Sequence, residues 1–389
     1  MACILKAPTP DAKGIIMFTT AERDQVILKD RKLQRNLWDL KSNWMIGLHH
    51  NWHDFNFVYN PLFDFSMAGE EDLREVNRKP FSVVPMDACN FVPEFFEPQD
   101  GSKFWDILYV ARPVGFKRIP EFFQCIRSLY DQGHNYRVLY ICSIPPYNRR
   151  DRNTVLYDVR GLYDSIFSEE EKDRFTLLSL SHRYPFPFDL ETLAFLYKSS
   201  RIFVHFSDEE RRCRAAAYAW ATGIPVVGMA SVASLLPGTY RIKPYYYEIS
   251  DYAEFPSKIV QAIEESQNDQ YNFQKVREHI STSYTTPVLR ERLKALLGIS
   301  DPTNELTGSS LAHLDIRLGR HHGLGDGPNN VWPNLAYFVE LLSDHKQISQ
   351  IILEDHIDPE RQLEKLFSTS PNPSFWSRLA GKVIGHNRI

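Results

Sequence analysis

Strand-like and helix-like segments alternate through the middle of the chain. The apolar runs FWDILYVARP (104–113) and RIFVHFS (201–207) predict buried strands, whereas IPEFFQCIRSLYDQGH (119–134) and ERRCRAAAYAWATG (210–223) carry apolar residues at helical period. This alternation is typical of a parallel sheet that is covered by helices. We therefore expect a Rossmann-like α/β domain in the central part of the chain.

The same pattern continues on both sides of these segments. Further strands are predicted at YRVLYICSIPP (136–146), FTLLSLSHR (175–183), IPVVGM (224–229) and TYRIKPYYY (239–247). Further helices are predicted at RNTVLYDVRGLYDSIF (152–167), at DLETLAFLYKSS (189–200) with Asp189 as N-cap, and from Asp251 to about Gln267. The segment SDPTNELTGSS (300–310) has the composition of a linker. Beyond it, a strand at 311–320, a glycine-rich loop at 321–330, a helix at 331–345 and a strand at 348–355 are predicted.

The composition narrows the class of protein. The chain of 389 residues can hold two domains, and its 43% hydrophobic and 24% charged residues are those of a globular protein. The formal net charge of -4 argues against a nucleic-acid partner, which normally requires a basic domain. The five cysteines lack any Cys-x2-Cys spacing, and the sequence has no run of about 18 apolar residues. We expect a cytoplasmic protein with reduced thiols and no integral membrane segment.

Four short motifs follow one another in the central segment. VVPMDACNFVPEFF (83–96) precedes the strand of ILYVARPVGFK (107–117), in which a lysine follows an arginine by five residues. LETLAFLYKSSRIFVHFS (190–207) then leads into SDEERRCRAAAYAWATGIPV (207–226). In this order and spacing they resemble the motifs of the glycosyl transferases group 1, a family of retaining glycosyltransferases. The last motif is similar to the family pattern S-x-x-E-G-F-G-x-x-x-x-E-A-M-A-x-G-x-P-V.

The resemblance covers residues 83 to about 297 and implies a fold class. This class is α/β and GT-B-like, with two Rossmann-like domains that face each other across a cleft. We predict that residues 1–82 form part of the acceptor-side domain and that residues 83–299 form the nucleotide-sugar-binding domain, followed by a linker at 300–310. Because about 80 residues are few for a domain, residues 311–389 are expected to complete the acceptor-side domain, as in a circular permutation. The alternative is a separate appendage that binds a partner.

Arg112 and Lys117 are the candidate ligands of a diphosphate. When a nucleotide sugar reacts, negative charge grows on the oxygens of the departing nucleoside diphosphate. By resemblance, the Arg112 fork and the Lys117 ammonium meet this charge, and they can do so without a metal ion. The helix start after Ser207 offers backbone N–H groups to the same anion. From spacing alone, Arg112 and Lys117 could equally be a solvated pair in a loop.

Glu210 and Tyr218 occupy the two positions of the family's paired glutamates. The resemblance implies that Glu210 lies beside the donor sugar and stabilises positive charge at the anomeric centre, although an acidic residue in a first helical turn is the alternative. Tyr218 stands where the second glutamate holds the ribose hydroxyls. A tyrosine can donate one hydrogen bond and stack, but it cannot make a bidentate carboxylate contact. This departure leaves the donor, and to a lesser degree catalysis itself, open.

Two further clusters have a weaker pattern. His49, His50 and His53 lie in an aromatic-rich segment without a completing carboxylate or cysteine, so we predict no metal site there. In the family a histidine of the acceptor domain often faces the donor sugar, and one of the three could do so; surface or partly buried histidines are the alternative. The glycines of the C-terminal loop could cradle a phosphate, whereas a plain surface turn is equally compatible with them; they are Gly323, Gly325 and Gly327.

The expected function is transfer of a sugar from a nucleotide-sugar donor to a glycan, lipid-linked or small-molecule acceptor. By resemblance the reaction retains the anomeric configuration, needs no metal and uses no cofactor besides the donor. Two alternatives stay open: a non-catalytic GT-B-like binding or scaffold subunit, and a sugar-nucleotide epimerase.

Overall fold

The computed structural model describes most of the first 298 residues and one later helix. The described residues are 2–6, 8–49, 60–69, 82–99, 101–143, 157–180, 190–207, 210, 212–230, 232, 236–268, 272–298 and 335–344. They form a five-stranded sheet and a six-stranded sheet, each flanked by helices. The predicted mixed α/β class with parallel sheets is thereby confirmed.

The first sheet is built from the N-terminal segment in the order β1-β2-β3-β4-β5. Its strands are β1 (Cys3–Lys6), β2 (Gly14–Thr19), β3 (Trp44–His49), β4 (Phe65–Met67) and β5 (Ser82–Val84). Strand β1 runs antiparallel to β2, whereas the other neighbours are parallel. All residues of β2 are buried, as expected for a strand covered on both faces. The helices of this segment are α1 (Thr20–Gln25) and α2 (Arg31–Leu40).

The second sheet is parallel throughout, in the order β11-β10-β9-β6-β7-β8. Its strands are β6 (Trp105–Val110), β7 (Val138–Ser143), β8 (Phe175–Leu180), β9 (Ser200–His205), β10 (Val226–Met229) and β11 (Tyr246–Ile249). Its helices are α3 (Ile119–Asp131), α4 (Val159–Ile166), α5 (Glu169–Lys172), α6 (Leu190–Lys198), α7 (Arg214–Ala221), α8 (Phe255–Asn268), α9 (Gln274–Arg277) and α10 (Thr282–Leu297). Counted from β6, this is the 3-2-1-4-5-6 order of the Rossmann fold.

Helices cover both faces of the second sheet because successive strand residues point to opposite sides. In β6, Leu108 belongs to one buried cluster together with Trp220 of α7, whereas Tyr109 belongs to another with Phe122 of α3. The two clusters make the sheet the centre of a sandwich. Loops at the strand ends are therefore the places where polar side chains can converge.

Two predicted elements differ from the structure. The helix predicted from Glu210 begins at Arg214, because the Glu210 carboxylate contacts Lys117 and His205 instead of lying in a first helical turn. Gly223, with φ +77°, follows its end as predicted. The strand predicted at 239–247 is β11, which starts only at Tyr246; Pro244, which lacks the N–H that a central strand needs, precedes it.

The chain connects the two sheets twice. It leaves the first sheet after Val84 of β5, and it returns through α10, whose Leu289 and Leu293 pack with Phe65 in the core of the first sheet. Residues 83–84 therefore belong to the first sheet and α10 packs on it, although both fall inside the segment 83–299.

One helix from the C-terminal unit, α11 (Leu335–Leu341), packs on the first sheet. Phe338 and Val339 join the buried cluster that contains Leu37 of α2, and the indole Nε1 of Trp44 donates a hydrogen bond of 3.0 Å to the carbonyl of Leu342. The remainder of 311–389 lies outside the described residues, so the circular permutation stays a prediction. None of the helices given above is both long and apolar enough to cross a bilayer.

Candidate functional site

The second sheet has a switch point between β6 and β9. From β6 the chain continues to β7 and β8 on one side, and from β9 it continues to β10 and β11 on the other. In open parallel sheets the loops diverge at such a point and leave a crevice at the carboxyl ends of the two strands, where ligands bind. The loop after β6 carries Arg112 and Lys117, and the loop after β9 carries Ser207 and Glu210.

Lys117 is held in place by the loop between β6 and α3. It ends a short 3-10 helix, Gly115–Lys117, and Arg118 after it has the left-handed φ of 50°, which is uncommon outside glycine. The buried hydroxyl of Tyr109 donates a hydrogen bond to the carbonyl of Lys117. The lysine side chain is buried, and its ammonium lies 5.3 Å from the ring centroid of Phe116. The ammonium is thereby fixed at the carboxyl end of β6.

Glu210 receives two donors on the same carboxylate oxygen. The Lys117 ammonium donates to Glu210 Oε2, and His205 Nε2 lies 2.8 Å from this oxygen. Burial by itself raises the pKa of the Glu210 carboxyl, but the charge of Lys117 and the hydrogen bond of His205 outweigh it and hold this pKa well below its usual range. At neutral pH the site therefore contains an ionised carboxylate paired with an ammonium.

His205 ends β9 with a fully buried ring. Burial, aided by the nearby Lys117 charge, lowers the pKa of its imidazole below the usual 6.5, although Glu210 acts in the opposite direction. The ring is therefore neutral at pH 7. Because the ionised Glu210 carboxylate can only accept, the ring proton is assigned to Nε2. Within the described part of the chain, His205 Nδ1 has no hydrogen-bond partner.

His205, Glu210 and Cys213 could together surround a metal ion, since their ligand atoms lie within 4.8 Å of one another. The Lys117 ammonium already contacts the Glu210 carboxylate. Burial raises the pKa of the Cys213 thiol to about 12 in the cluster without an ion, so a metal would have to displace the thiol proton on binding. The described cluster is thus organised around an ammonium group.

Ser207 and Arg112 lie in the same two loops as the ion pair. Ser207 is fully buried directly after β9, and its hydroxyl has no hydrogen-bond partner among the residues that the structure describes. Arg112 is half-buried after β6, and its carbonyl accepts from the amide of Val114 at 2.9 Å. Their roles as ligands of a diphosphate stay predictions.

Tyr218 lies on α7 and packs into a buried cluster on one face of the second sheet. Its ring stacks on Phe96 with centroids 4.2 Å apart and planes inclined by 12°, and it meets Tyr197 edge-on. Tyr218 is 8% exposed. This packing accounts for an aromatic residue at the position, and its predicted contact with the ribose stays a prediction.

The carboxyl edge of the first sheet faces this site. A Cβ atom on Gly69, which follows β4, would lie only 2.6 Å from Cδ of Arg212, which follows β9. His49 at the end of β3 is buried and close enough to Asp87 to help lower the pKa of its carboxyl. The other predicted candidates lie outside the described residues; they are His50, His53, Gly323, Gly325 and Gly327.

Three polar residues of the site were not predicted from the sequence. His205 follows the apolar residues 202–204 at the carboxyl end of β9, a position that favours ligand contact once the switch point is known. Asp87 and Arg212 form an ion pair across 125 residues of sequence, and no local pattern reveals such a contact.

Comparison with known proteins gives similarities of architecture. No protein-family model and no curated protein matches the chain. Among solved structures, a variant of S. aureus TarM in complex with fondaparinux, α-GlcNAc-glycerol and UDP is 14% identical with a TM-score of 0.47, over 66% of this chain and 51% of that chain. Anabaena HepE in complex with UDP and glucose is 12% identical with a TM-score of 0.47, over 68% of this chain and 76% of that one.

A third solved structure matches a smaller share of the chain. The C-terminal domain of a glycosyl transferase group 1 family protein from Francisella tularensis is 15% identical with a TM-score of 0.34, over 53% of this chain and 98% of that chain. The present chain spans about half the length of the TarM structure that it matches. The proposed chemistry of this chain accordingly rests on its own side chains and not on these similarities.

Proposed function

We propose that this protein is a glycosyltransferase that moves a sugar from a nucleoside-diphosphate donor to a carbohydrate, lipid-linked or small-molecule acceptor. The observation that supports this most is the partly buried Lys117–Glu210–His205 cluster at the switch point of a Rossmann-ordered sheet. An anion site and an adjacent carboxylate are the two groups that departure of a sugar from a diphosphate requires.

In the proposed reaction, Lys117 and Arg112 bind the diphosphate oxygens. The Lys117 ammonium is neutralised by Glu210 before the donor binds, so the phosphate binds an ammonium group that is already in position. Charge-assisted hydrogen bonds from ammonium and guanidinium then stabilise the leaving group more strongly as its charge grows. These two cations supply the charge stabilisation, and we propose a reaction that needs no metal and no cofactor besides the donor.

Glu210 has the second role. Its carboxylate stays ionised because Lys117 and His205 hold its pKa low, and it remains hydrogen-bonded to His205 when Lys117 turns to the phosphate. An ionised carboxylate beside the sugar stabilises the positive charge that develops at the anomeric carbon. Retention of configuration is proposed on the resemblance to the retaining family.

A non-catalytic sugar-nucleotide-binding subunit is the second candidate. Tyr218 favours it, because a ring stacked on Phe96 replaces the carboxylate that holds the ribose in the family. Such a protein would bind nucleoside diphosphates through Lys117 without turning over any donor.

A turnover assay separates the two candidates. A panel of nucleotide sugars is incubated with the protein, and release of nucleoside diphosphate is followed with and without acceptor. Glu210→Gln should lower turnover about a hundredfold and change donor affinity much less, because the carboxylate acts on the transition state. Glu169→Gln is the control, since the Glu169 side chain is 92% exposed. Unchanged turnover in Glu210→Gln contradicts the role of Glu210, and binding without turnover by the parent supports the binding subunit.

A further inference from the structure

Arg212 lies two residues after Glu210 and is anchored outside the loop that carries them both. Its Nε donates to Asp87 Oδ2, and its Nη2 donates to Asn90 Oδ1 at 2.8 Å. The Cys89 thiol donates to the carbonyl of Arg212 at 2.9 Å. Three residues of the connection between β5 of the first sheet and β6 of the second thus bind one residue of the loop that carries Glu210.

The connection itself is joined to the segment by which the chain returns to the first sheet. The side-chain amide of Asn90 donates to the carbonyl of His279 at 2.9 Å. The amide of Val92 donates to Ile280 at 2.8 Å, and the amide of Thr282 donates back to Val92 at 3.0 Å. These bonds join the two crossings at one junction, residues 87–92 and 277–282. A change in the relative position of the two sheets therefore has to move this junction. Asp87 and Asn90, and through them Arg212, belong to it.

The Arg212–Asp87 pair is almost fully buried. The exposed fractions of the two side chains are 7% and 9%. Burial would raise the pKa of Asp87, but the adjacent guanidinium holds it below its usual value, so the carboxyl is ionised at neutral pH. A buried guanidinium that lost this partner would remain as an uncompensated charge, which is strongly unfavourable. The pair therefore has one stable arrangement, with Arg212 turned toward the connection.

The first sheet contacts the same side chain. A Cβ on Gly69, two residues after β4, would lie 2.6 Å from Cδ and 2.8 Å from Nη1 of Arg212, so that any other residue there would displace the Arg212 side chain. The guanidinium is enclosed by the first sheet on one side and by the connection on the other.

We infer that Arg212 is a positioning residue, which ties the placement of Glu210 to the relative position of the two sheets through Asp87 and Asn90. When the sheets lie as described, Arg212 holds the loop so that Glu210 reaches Lys117 and His205. When they separate, the loop loses its anchor and Glu210 loses its place. The catalytic consequence rests on the proposed function, whereas the coupling between positions 210 and 212 does not.

A double-mutant cycle on the stability of the full chain tests the coupling. The folding equilibrium constant is measured by denaturant at pH 7 for the parent, Glu210→Gln, Arg212→Lys and the double variant. Lysine keeps the charge of Arg212 but loses the fork that reaches two acceptors. The inference predicts that the factor by which Glu210→Gln lowers the folding equilibrium constant is at least tenfold larger in the parent than in the Arg212→Lys background. Additive effects within about twofold overturn it.

Arg277→Lys is the matched control, because Arg277 is also a buried arginine of the junction but pairs with Glu97 and not with the Glu210 loop. It should be additive with Glu210→Gln. If Arg212→Lys does not fold, Arg212→Met combined with Asp87→Leu serves as the background, since an apolar pair can replace a buried ion pair.

The kinetic arm separates this inference from the proposed function. With a donor that the parent turns over, Arg212→Lys should lower kcat about tenfold, leave KM within about twofold, and have no further effect on kcat in Glu210→Gln. An equal loss of kcat in both backgrounds overturns the positioning role. Coupling in stability without turnover of any donor by the parent contradicts the proposed function and leaves the positioning of Glu210 by Arg212 standing.

Discussion

Lys117 and Glu210 lie 93 residues apart in the sequence and form a partly buried ion pair where the loops of β6 and β9 meet. The pair joins the two loops that flank the switch point of the second sheet. Because each side chain neutralises the other, a bound diphosphate has to draw the ammonium away from the carboxylate. This competition makes the contact between the two residues sensitive to the ligand.

Arg112→Ala should weaken the binding of nucleoside diphosphates while the fold is kept. Loss of one charge-assisted contact to a phosphate costs about 2 kcal/mol, or about thirtyfold in affinity. Isothermal titration measures the change. Arg160→Ala is the control in the same domain, since the Arg160 side chain is 85% exposed. Equal affinities of the parent and Arg112→Ala for the diphosphate would show that Arg112 does not bind it.

The contribution of Glu210 to stability should fade in acid. The pKa of its carboxyl is lower in the folded protein than the reference of 4.5, so the folded state binds fewer protons than the unfolded state. The stabilisation is then complete above pH 4.5 and is lost as the pH falls further toward the folded pKa. The difference in unfolding free energy between the parent and Glu210→Gln should stay constant from pH 7 to about 5.5 and shrink below 4.5. A difference that grows in acid contradicts the pairing with Lys117.

Phe338→Ala should destabilise the protein by about 3–5 kcal/mol, because the ring is buried against the core around α2. Glu340→Ala on the exposed side of α11 is the control and should change stability by less than about 0.5 kcal/mol. Chemical denaturation gives both values. If Phe338→Ala is as stable as Glu340→Ala, α11 does not pack on the first sheet in solution.

The second sheet could be predicted from the sequence because its strands are continuous apolar runs. In β6 the apolar run is residues 107–110, and the segment that becomes α3 has apolar residues at a clear helical period. The start of α7 could not be predicted from the sequence, because the helical pattern extends back to Glu210. Tertiary contacts with Lys117 and His205 hold that residue outside the helix. Local pattern decides an element only where long-range contacts agree with it.

The sequence predicts the candidate site only in part, for the same reason. Lys117 and Glu210 came from a resemblance in motif order, and the structure brings them together. His205 has no local pattern beyond being a polar residue after the apolar run 202–204. The contact of Arg212 with Asp87 joins two separate parts of the chain, and its geometry depends on how the two sheets are placed. Such contacts are properties of the fold and not of any segment.

The proposed phosphate site at Lys117 is tested most directly by the binding of nucleoside diphosphates to the parent and to Lys117→Ala. Isothermal titration with UDP, GDP and ADP should reveal one that binds, and Lys117→Ala should lower its affinity about thirtyfold or more. Because this variant leaves Glu210 buried without its cation, Lys117→Ala combined with Glu210→Gln is measured beside it, and Lys275→Ala at an exposed position is the control. The corresponding nucleoside without phosphates should bind all four proteins equally. No binding of any nucleoside diphosphate by the parent, or equal binding by Lys117→Ala, would contradict the phosphate site on which the proposed function depends.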